Sequence, residues 1–527
     1  MIIGTNIDWG ENAMPIDVLR RMKNRIKPPH IYAFGFSFVF GLLAHFYRMT
    51  NWLPNWDSLV FRNDPQHMES LGRWFLPFAS GISSSYELPW LNGLLSILYI
   101  STAVVFICAA FEVRSRLTAA MIGAATITFP TVTSTLTYCY IADAYALSFL
   151  LVCIAVYFLA RKKMSAAIPS VLLLALSMGI YQAYITAAIA LLLCSLIVRL
   201  ATGRDTASAS LKSVFRYMLC GVLAVLLYYG IHLAVTTVMH VEMSDYQNIS
   251  DTFSLREFDI KKAVLSSYYV FFKFFFDFSG GFNFYSVLNI AIFAVLAIGY
   301  VALAVKHIRK VSGYLLTALY ILLTPVGCTA LYLANSELDY HTLMKMGYAV
   351  AYIFLALLYE KLHFAARRTD AIKAWAVVGL CFAMVYSNTV TANIAYHKLQ
   401  IAYERSYGIL VRISDRILSL DDAESIDRLL VVGSLNDSES YAVNFPPEIT
   451  GTTDGLLIRH DDETVRQSVI TSALNDYCGM SLTFIQGSEA EALKESEAVG
   501  RMPCWPRDGS IIRSGDTVIL KLSEETK

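Results

Sequence analysis

Side chains able to move a proton or hold a phosphate gather at a few polar breaks in this otherwise apolar chain. Asp57, Arg62, Asp64, Glu69 and Arg73 share one break, and Asp143, Tyr181-Gln182, Glu337, Asp339, His341 and Lys345 occupy others. An aspartate held at a membrane edge among tryptophans can serve as a general base, and Asp57 follows Trp56. The same residue type caps turns in solvated loops, and the residue types alone leave both readings open for Asp57. Asp64 and Glu69 stand close behind as alternative acids, and Asp143 fits either an acid or a cap. Arg62 and Arg73 can grip a phosphate through the guanidinium fork, or simply snorkel to the interface. Lys345 and His341 precede an apolar run, where such residues commonly sit at the membrane interface, and the alternative is a ligand for phosphate or sugar. Trp52, Trp56, Trp74 and Trp90 fit a membrane-interface belt, and each also offers a face on which a sugar ring can stack.

The elements that position these residues follow from composition. The chain has 527 residues, 56% of them apolar and 16% charged, with no net charge. A soluble domain carries about 25% charge, so most of this surface cannot face water. No basic run interleaved with aromatics points to nucleic acid. A membrane helix needs about 20 apolar residues, and about eleven candidates recur, near 30–48, 90–111, 118–138, 144–160, 166–179, 181–200, 215–239, 286–306, 312–333, 346–360 and 374–395. The expected fold is therefore an all-α polytopic membrane domain over 30–396, after a cytoplasmic segment at 1–29. Met1–Asn12 is polar, so the first membrane helix is expected to act as its own signal.

Positive charge sets the orientation. Arg20, Arg21, Lys23, Arg25 and Lys27 precede the first helix, and Arg114, Arg116, Arg161-Lys162-Lys163, Arg199, Arg204 and Arg367-Arg368 mark alternate connections. This predicts a cytoplasmic N-terminus and an extracytoplasmic C-terminus. Two long outer loops follow, at 49–89 and 240–285. In the first, Asp64 and Pro65 predict the start of an interfacial helix carrying Met68, Leu71, Phe75 and Phe78 on one face. In the second, the aromatic run from Tyr268 to Phe278 predicts an interfacial or re-entrant helix. Beyond 397 an amphipathic helix leads into alternating strands and helices, which predict a small extracytoplasmic α/β domain at 397–527. Of the nine cysteines only Cys478 and Cys504 lie in that domain's polar region. A disulfide between them and two free thiols both fit. No spacing suits a metal.

The stretch Asn55-Trp56-Asp57-Ser58 through Leu71-Gly72-Arg73-Trp74, with Leu88-Pro89-Trp90-Leu91, resembles the bacterial serotype-converting O-antigen glucosyltransferases of type II. Gly179-Ile180-Tyr181-Gln182-Ala183-Tyr184, the run from Met502 to Ile511, and Val518-Ile519-Leu520-Lys521-Leu522 are similar to the same family. The resemblance implies a GT-C-like architecture in the bacterial inner membrane and a polyprenyl-phosphate sugar donor, the sugar being glucose. The implied acceptor is a lipid-linked polysaccharide repeat. By position it implies Asp57 as the catalytic acid/base, Arg73 as a phosphate contact and Lys521 as a substrate contact in the terminal domain. An inverting transfer with no cofactor and no metal is expected, with a donor synthase and a donor flippase as companions. The competing classes are a transporter of lipid-linked glycans, which predicts repeats and midplane charges, and a polymerase or ligase acting on the same polysaccharide.

Overall fold

The computed structural model describes residues 26–161, 164–241, 259–364, 367–435, 447–452, 455–457 and 463–524. The basic residues Arg20 to Arg25, the Lys162-Lys163 pair and the polar stretch 242–258 lie outside the described residues. In chain order the helices begin with α1 (Pro28–Thr50), then α2 (Trp56–Phe61) and α3 (Leu76–Ser80) in the first long loop. The helical body continues with α4 (Pro89–Ala110), α5 (Arg116–Ile127), α6 (Pro130–Thr137), α7 (Cys139–Ala160), α8 (Ala167–Ile180), α9 (Tyr184–Ala201) and α10 (Ala207–Met239). It closes with α11 (Ile260–Phe275), α12 (Phe284–His307), α13 (Val311–Cys328), α14 (Val350–Lys361) and α15 (Arg368–Leu418).

Every apolar segment named from sequence is helical. Among the described residues nine helices are long and apolar enough to cross a membrane, and α5 with α6 forms a bent pair at 41°. The bend falls at Pro130, which opens α6 because its ring cannot donate to the preceding turn. The short α8 and α9 are separate helices, broken at Tyr181. The chain is thus a polytopic membrane protein. The aromatic helix α11 has 16 residues, or about 24 Å at 1.5 Å per residue, short of the roughly 30 Å hydrocarbon core.

Several expectations are corrected. No continuous interfacial helix follows Asp64. Gln66 and Gly72 both take positive φ, so the chain turns twice and leaves only a 3-10 turn at Glu69–Leu71 and the short α3. Asp64 accepts the Gln66 amide at 2.6 Å instead of capping a helix. Asp143 is not in a loop but near the start of α7, where it is fully buried. The expected boundary at 397 falls inside α15, which runs for 51 residues without a break. Cys478 and Cys504 are not joined. Burial raises the Cys478 thiol, which sits beside Ser414, whereas Cys504 donates to Glu524.

The C-terminal domain is a four-stranded sheet in the order β2-β1-β4-β3. It is built from β1 (Arg428–Val432), β2 (Thr483–Phe484), β3 (Ile511–Ser514) and β4 (Thr517–Lys521). β1 pairs in parallel with β2 and β4, and β3 closes the edge antiparallel to β4. Leu429 and Val431 of β1 face one apolar cluster with α15 and α16 (Glu463–Cys478), while Leu430 and Val432 face another. This is the alternation that a sheet covered on both faces requires. β3 was not expected, because four residues carry too little pattern to read.

One buried ion pair fastens the first long loop. Arg48 Nη2 donates to Glu87 at 2.7 Å with both side chains almost fully buried. The same guanidinium donates to Leu136 O at 2.9 Å and Asn51 O at 3.1 Å. It therefore ties the end of α1 to the start of α4 and the end of α6.

Candidate active site

Asp57 lies in the first turn of α2. That turn is started by Asn55, whose side-chain oxygen accepts the Ser58 amide at 2.9 Å. Asn55 Nδ2 also donates to Thr137 O at 3.0 Å, pinning α2 to the end of α6. Trp56 turns the other way, and its Nε1 donates to Gly455 O of the C-terminal domain at 2.8 Å. Phe61 stacks on Tyr140 with centroids 6.0 Å apart. Asp57 and Arg73 both lie within electrostatic range of the Tyr140 phenol. Two charges sixteen positions apart in a loop are thus brought to one tyrosine.

The turn before Arg73 requires glycine. Gly72 has φ +76°, and a Cβ there would meet the Tyr228 hydroxyl at 2.3 Å and Gln182 Nε2 at 2.8 Å. Those two groups hold the turn. Gln182 donates to Leu71 O at 2.7 Å, and Tyr228 donates to Gly72 O at 3.1 Å. The Phe75 amide then bonds Gly179 O at 2.7 Å, and Trp74 packs its buried ring against Gly179 and Tyr228. With its backbone so placed, Arg73 donates to the Tyr145 hydroxyl at 3.1 Å and lies 5.1 Å over the Tyr181 ring. Tyr145 and Tyr181 stack at 4.3 Å. The polar break at Tyr181-Gln182 is therefore the support of Arg73.

A strap from the C-terminal domain joins this wall to a second one. Thr450 O accepts from Ser134 at 2.9 Å and from Thr137 at 3.1 Å, and Thr450 Oγ1 accepts the Thr342 amide at 2.9 Å. Thr342 opens a 3-10 segment, Thr342–Ala349, that carries Lys345. Lys345 Nζ lies 5.6 Å over the Phe274 ring of α11. His341 stands 3.4 Å from Asp339.

Residues 46–359 match the family model described as glucosyl transferase GtrII. The chain belongs to this family. No curated protein and no solved structure matches it. As a GtrII glucosyltransferase it is an enzyme that transfers a sugar. The matched region contains both walls, from Asp57 and Arg73 to Lys345, and stops short of α15 and the C-terminal domain.

Other residues singled out in this glucosyltransferase are placed elsewhere. Arg62 pairs with Asp476 of α16 and covers the Trp52 ring, which joins the first loop to the C-terminal domain. Glu69 pairs with His67 at 2.9 Å rather than with Arg73. Asp143 accepts from Asn92 at 2.9 Å between α4 and α7. Lys521 is buried in the sheet and donates to Met502 O at 3.0 Å and Val499 O at 3.2 Å, with Glu524 at 2.9 Å. Among the described residues no group of three or more His, Cys, Asp or Glu is placed to hold a metal. Sequence reasoning passed over Tyr140, Tyr145, Tyr228 and Thr450. The tyrosines sit in apolar runs, where their rings read as packing, and Thr450 lies in a polar stretch with no pattern.

Proposed function

We propose that this enzyme moves glucose from a polyprenyl-phosphate carrier to a lipid-linked surface polysaccharide at the outer face of the bacterial inner membrane, with inversion. The N-terminus is cytoplasmic and the C-terminal domain extracytoplasmic. Asp57 is the general base. The acceptor hydroxyl gives its proton to the Asp57 carboxylate as its oxygen attacks the anomeric carbon. The bond from that carbon to the phosphate oxygen breaks, and polyprenyl phosphate leaves with the electron pair. A cation at the outer helix ends offsets the charge that grows on the leaving phosphate. A donor synthase and a donor flippase are the companions such a route needs.

The observation that favours the reading is that Asp57 and Arg73 both lie within electrostatic range of the Tyr140 phenol, near the start of α7. A general base contributes about 10²–10⁴-fold. Asp57→Asn is nearly isosteric, so transfer from polyprenyl-phosphate glucose should fall by at least about 10²-fold with donor binding retained. Asp64→Asn and Glu69→Gln, which lose only local contacts to Gln66 and His67, should stay within a few-fold. Normal turnover in Asp57→Asn at matched protein level would remove it from the chemistry.

A further inference from the structure

Lys345 contrasts with several buried or half-buried cations. Arg48, Arg62, Arg199 and Lys521 each have a carboxylate within ion-pair distance. Among the described residues Lys345 has no ion pair and no hydrogen bond, only the Phe274 ring. Glu448 and Asp339 are felt at a distance, and so is a second ammonium, Lys273 of α11. Lys273 leans on the Tyr269 ring at 5.8 Å. Its nearby acid, Asp277, is bonded to the Ser279 amide at 2.9 Å and hydroxyl at 2.6 Å. Lys273 is exposed on α11 and Lys345 is half-buried, and like charges within electrostatic range repel each other. An anion between them would remove that cost.

The backbone presents Lys345 to this place. The segment kinks at Lys345, with φ −92° and ψ 19°, three residues before Tyr348. Both contact Phe274, Tyr348 with a centroid distance of 5.2 Å. Tyr348 is fully buried, and its hydroxyl has no hydrogen-bond partner. This is a second polar group left unsatisfied beside the ammonium. The strap fixes the segment as well, since Thr342 also donates to Glu448 O.

The approach to the place is apolar. α11 is amphipathic, with Phe271, Phe274 and Phe275 buried. Tyr269, Phe272, Phe278 and Phe282 are exposed on and beyond its outer side. Phe272-Lys273-Phe274 crosses from the exposed face to the buried one within three residues. An amphiphile with a long hydrocarbon chain and one anionic head fits this arrangement, whereas a free anion has no use for the aromatic track.

Building on the function proposed above, we infer that Lys345, with Lys273 at the portal, holds the phosphate of the polyprenyl carrier while the outer face of α11 receives its chain. Arg73 then serves the sugar end of the donor beside Asp57. The hydrogen bonds running from Asn55 through Thr137 and Thr450 to Thr342 set the spacing between the two ends.

The test uses the full chain in nanodiscs and polyprenyl phosphate without sugar as the probe. A charge-assisted contact is worth about 1.5–3 kcal/mol, and 1.4 kcal/mol is tenfold. Lys345→Gln should therefore weaken binding by about tenfold or more, and Lys345→Arg should restore most of it. Lys273→Gln should weaken it less, and Lys262→Gln, on the same helix but paired with Glu337, should not change it. A photoreactive group placed next to the phosphate should label Thr342–Ala349 or α11. Equal binding by wild type and a folded Lys345→Gln, with transfer intact, overturns this inference and leaves the proposed function standing. Failure of the wild type to bind polyprenyl phosphate at all overturns both. Equal competition by inorganic phosphate, or by phosphatidylglycerol in the nanodisc, would make the place a general anion or lipid site and overturn the assignment to the polyprenyl carrier.

Discussion

The first long loop, at 49–89, and the aromatic helix α11 are held in place by opposite means. The loop is held mainly by ion pairs and hydrogen bonds. Arg48 meets Glu87 and two carbonyls, Arg62 meets Asp476, and Gln182 and Tyr228 grip the turn at Gly72. The α11 wall is held by ring-on-ring packing of Phe271, Phe274 and Phe275 against Tyr348, and its cation Lys345 is left without a carboxylate. Charges that build the fold are neutralised in place, because an unpaired buried charge costs several kcal/mol. A charge that a wall leaves unneutralised costs stability too, and a ligand that brings the counter-charge is the physical reason to keep it. A ligand's counter-charge is therefore to be sought beside the cation that the α11 wall leaves without a carboxylate.

That contrast can be broken most sharply at Arg48. Removing one partner of a buried pair costs about 3–5 kcal/mol. Arg48→Met should lower the thermal midpoint in detergent steeply or prevent recovery of folded protein. Arg48→Met combined with Glu87→Leu should recover part of the loss, because no lone carboxylate then stays buried. Native stability in the single variant would show that this pair does not hold the loop.

The next effect is at Gly72. A positive φ in a residue other than glycine costs about 1–3 kcal/mol, and the new methyl would meet the Tyr228 hydroxyl. Gly72→Ala should fold less stably and shift Arg73. Misplacing a positioned group by about 1 Å can cost 10²-fold in rate, so transfer should fall much further than protein yield. A proportionate fall in both would mean that the turn matters for folding alone.

The smallest effect belongs to Arg62, whose pair with Asp476 is about a quarter exposed on each side. Such a pair is worth at most about 1 kcal/mol once solvent screening is counted. Arg62→Gln should leave the thermal midpoint nearly unchanged and raise the rate of limited proteolysis at the C-terminal domain a few-fold, more so at low salt. A loss as large as that of Arg48→Met would contradict the division between buried and surface pairs.

The bounds of the apolar helices were not legible in the chain, since the candidates near 215–239 and 374–395 lie inside the longer α10 and α15. Their order was legible because apolar length is a local property, readable in any window of about 20 residues. Alternating basic connections gave the expected orientation for the same reason. Asp57, Arg73, Tyr181 and Gln182 could be marked as polar residues at helix ends, but not joined. What brought Arg73 onto Tyr181 was a left-handed turn at Gly72 gripped by Gln182 and Tyr228 from two other helices. The apolar spacing from Met68 to Phe78 looked helical because periodicity cannot see the positive φ angles that interrupt it. The sorting of cations was beyond the sequence altogether. Arg62, Arg73, Lys345 and Lys521 are alike as residue types, and only the packing decided which of them met a carboxylate. Charge pairing depends on distance through space, as where Arg62 meets Asp476 from the far end of the chain, and no local pattern carries that information.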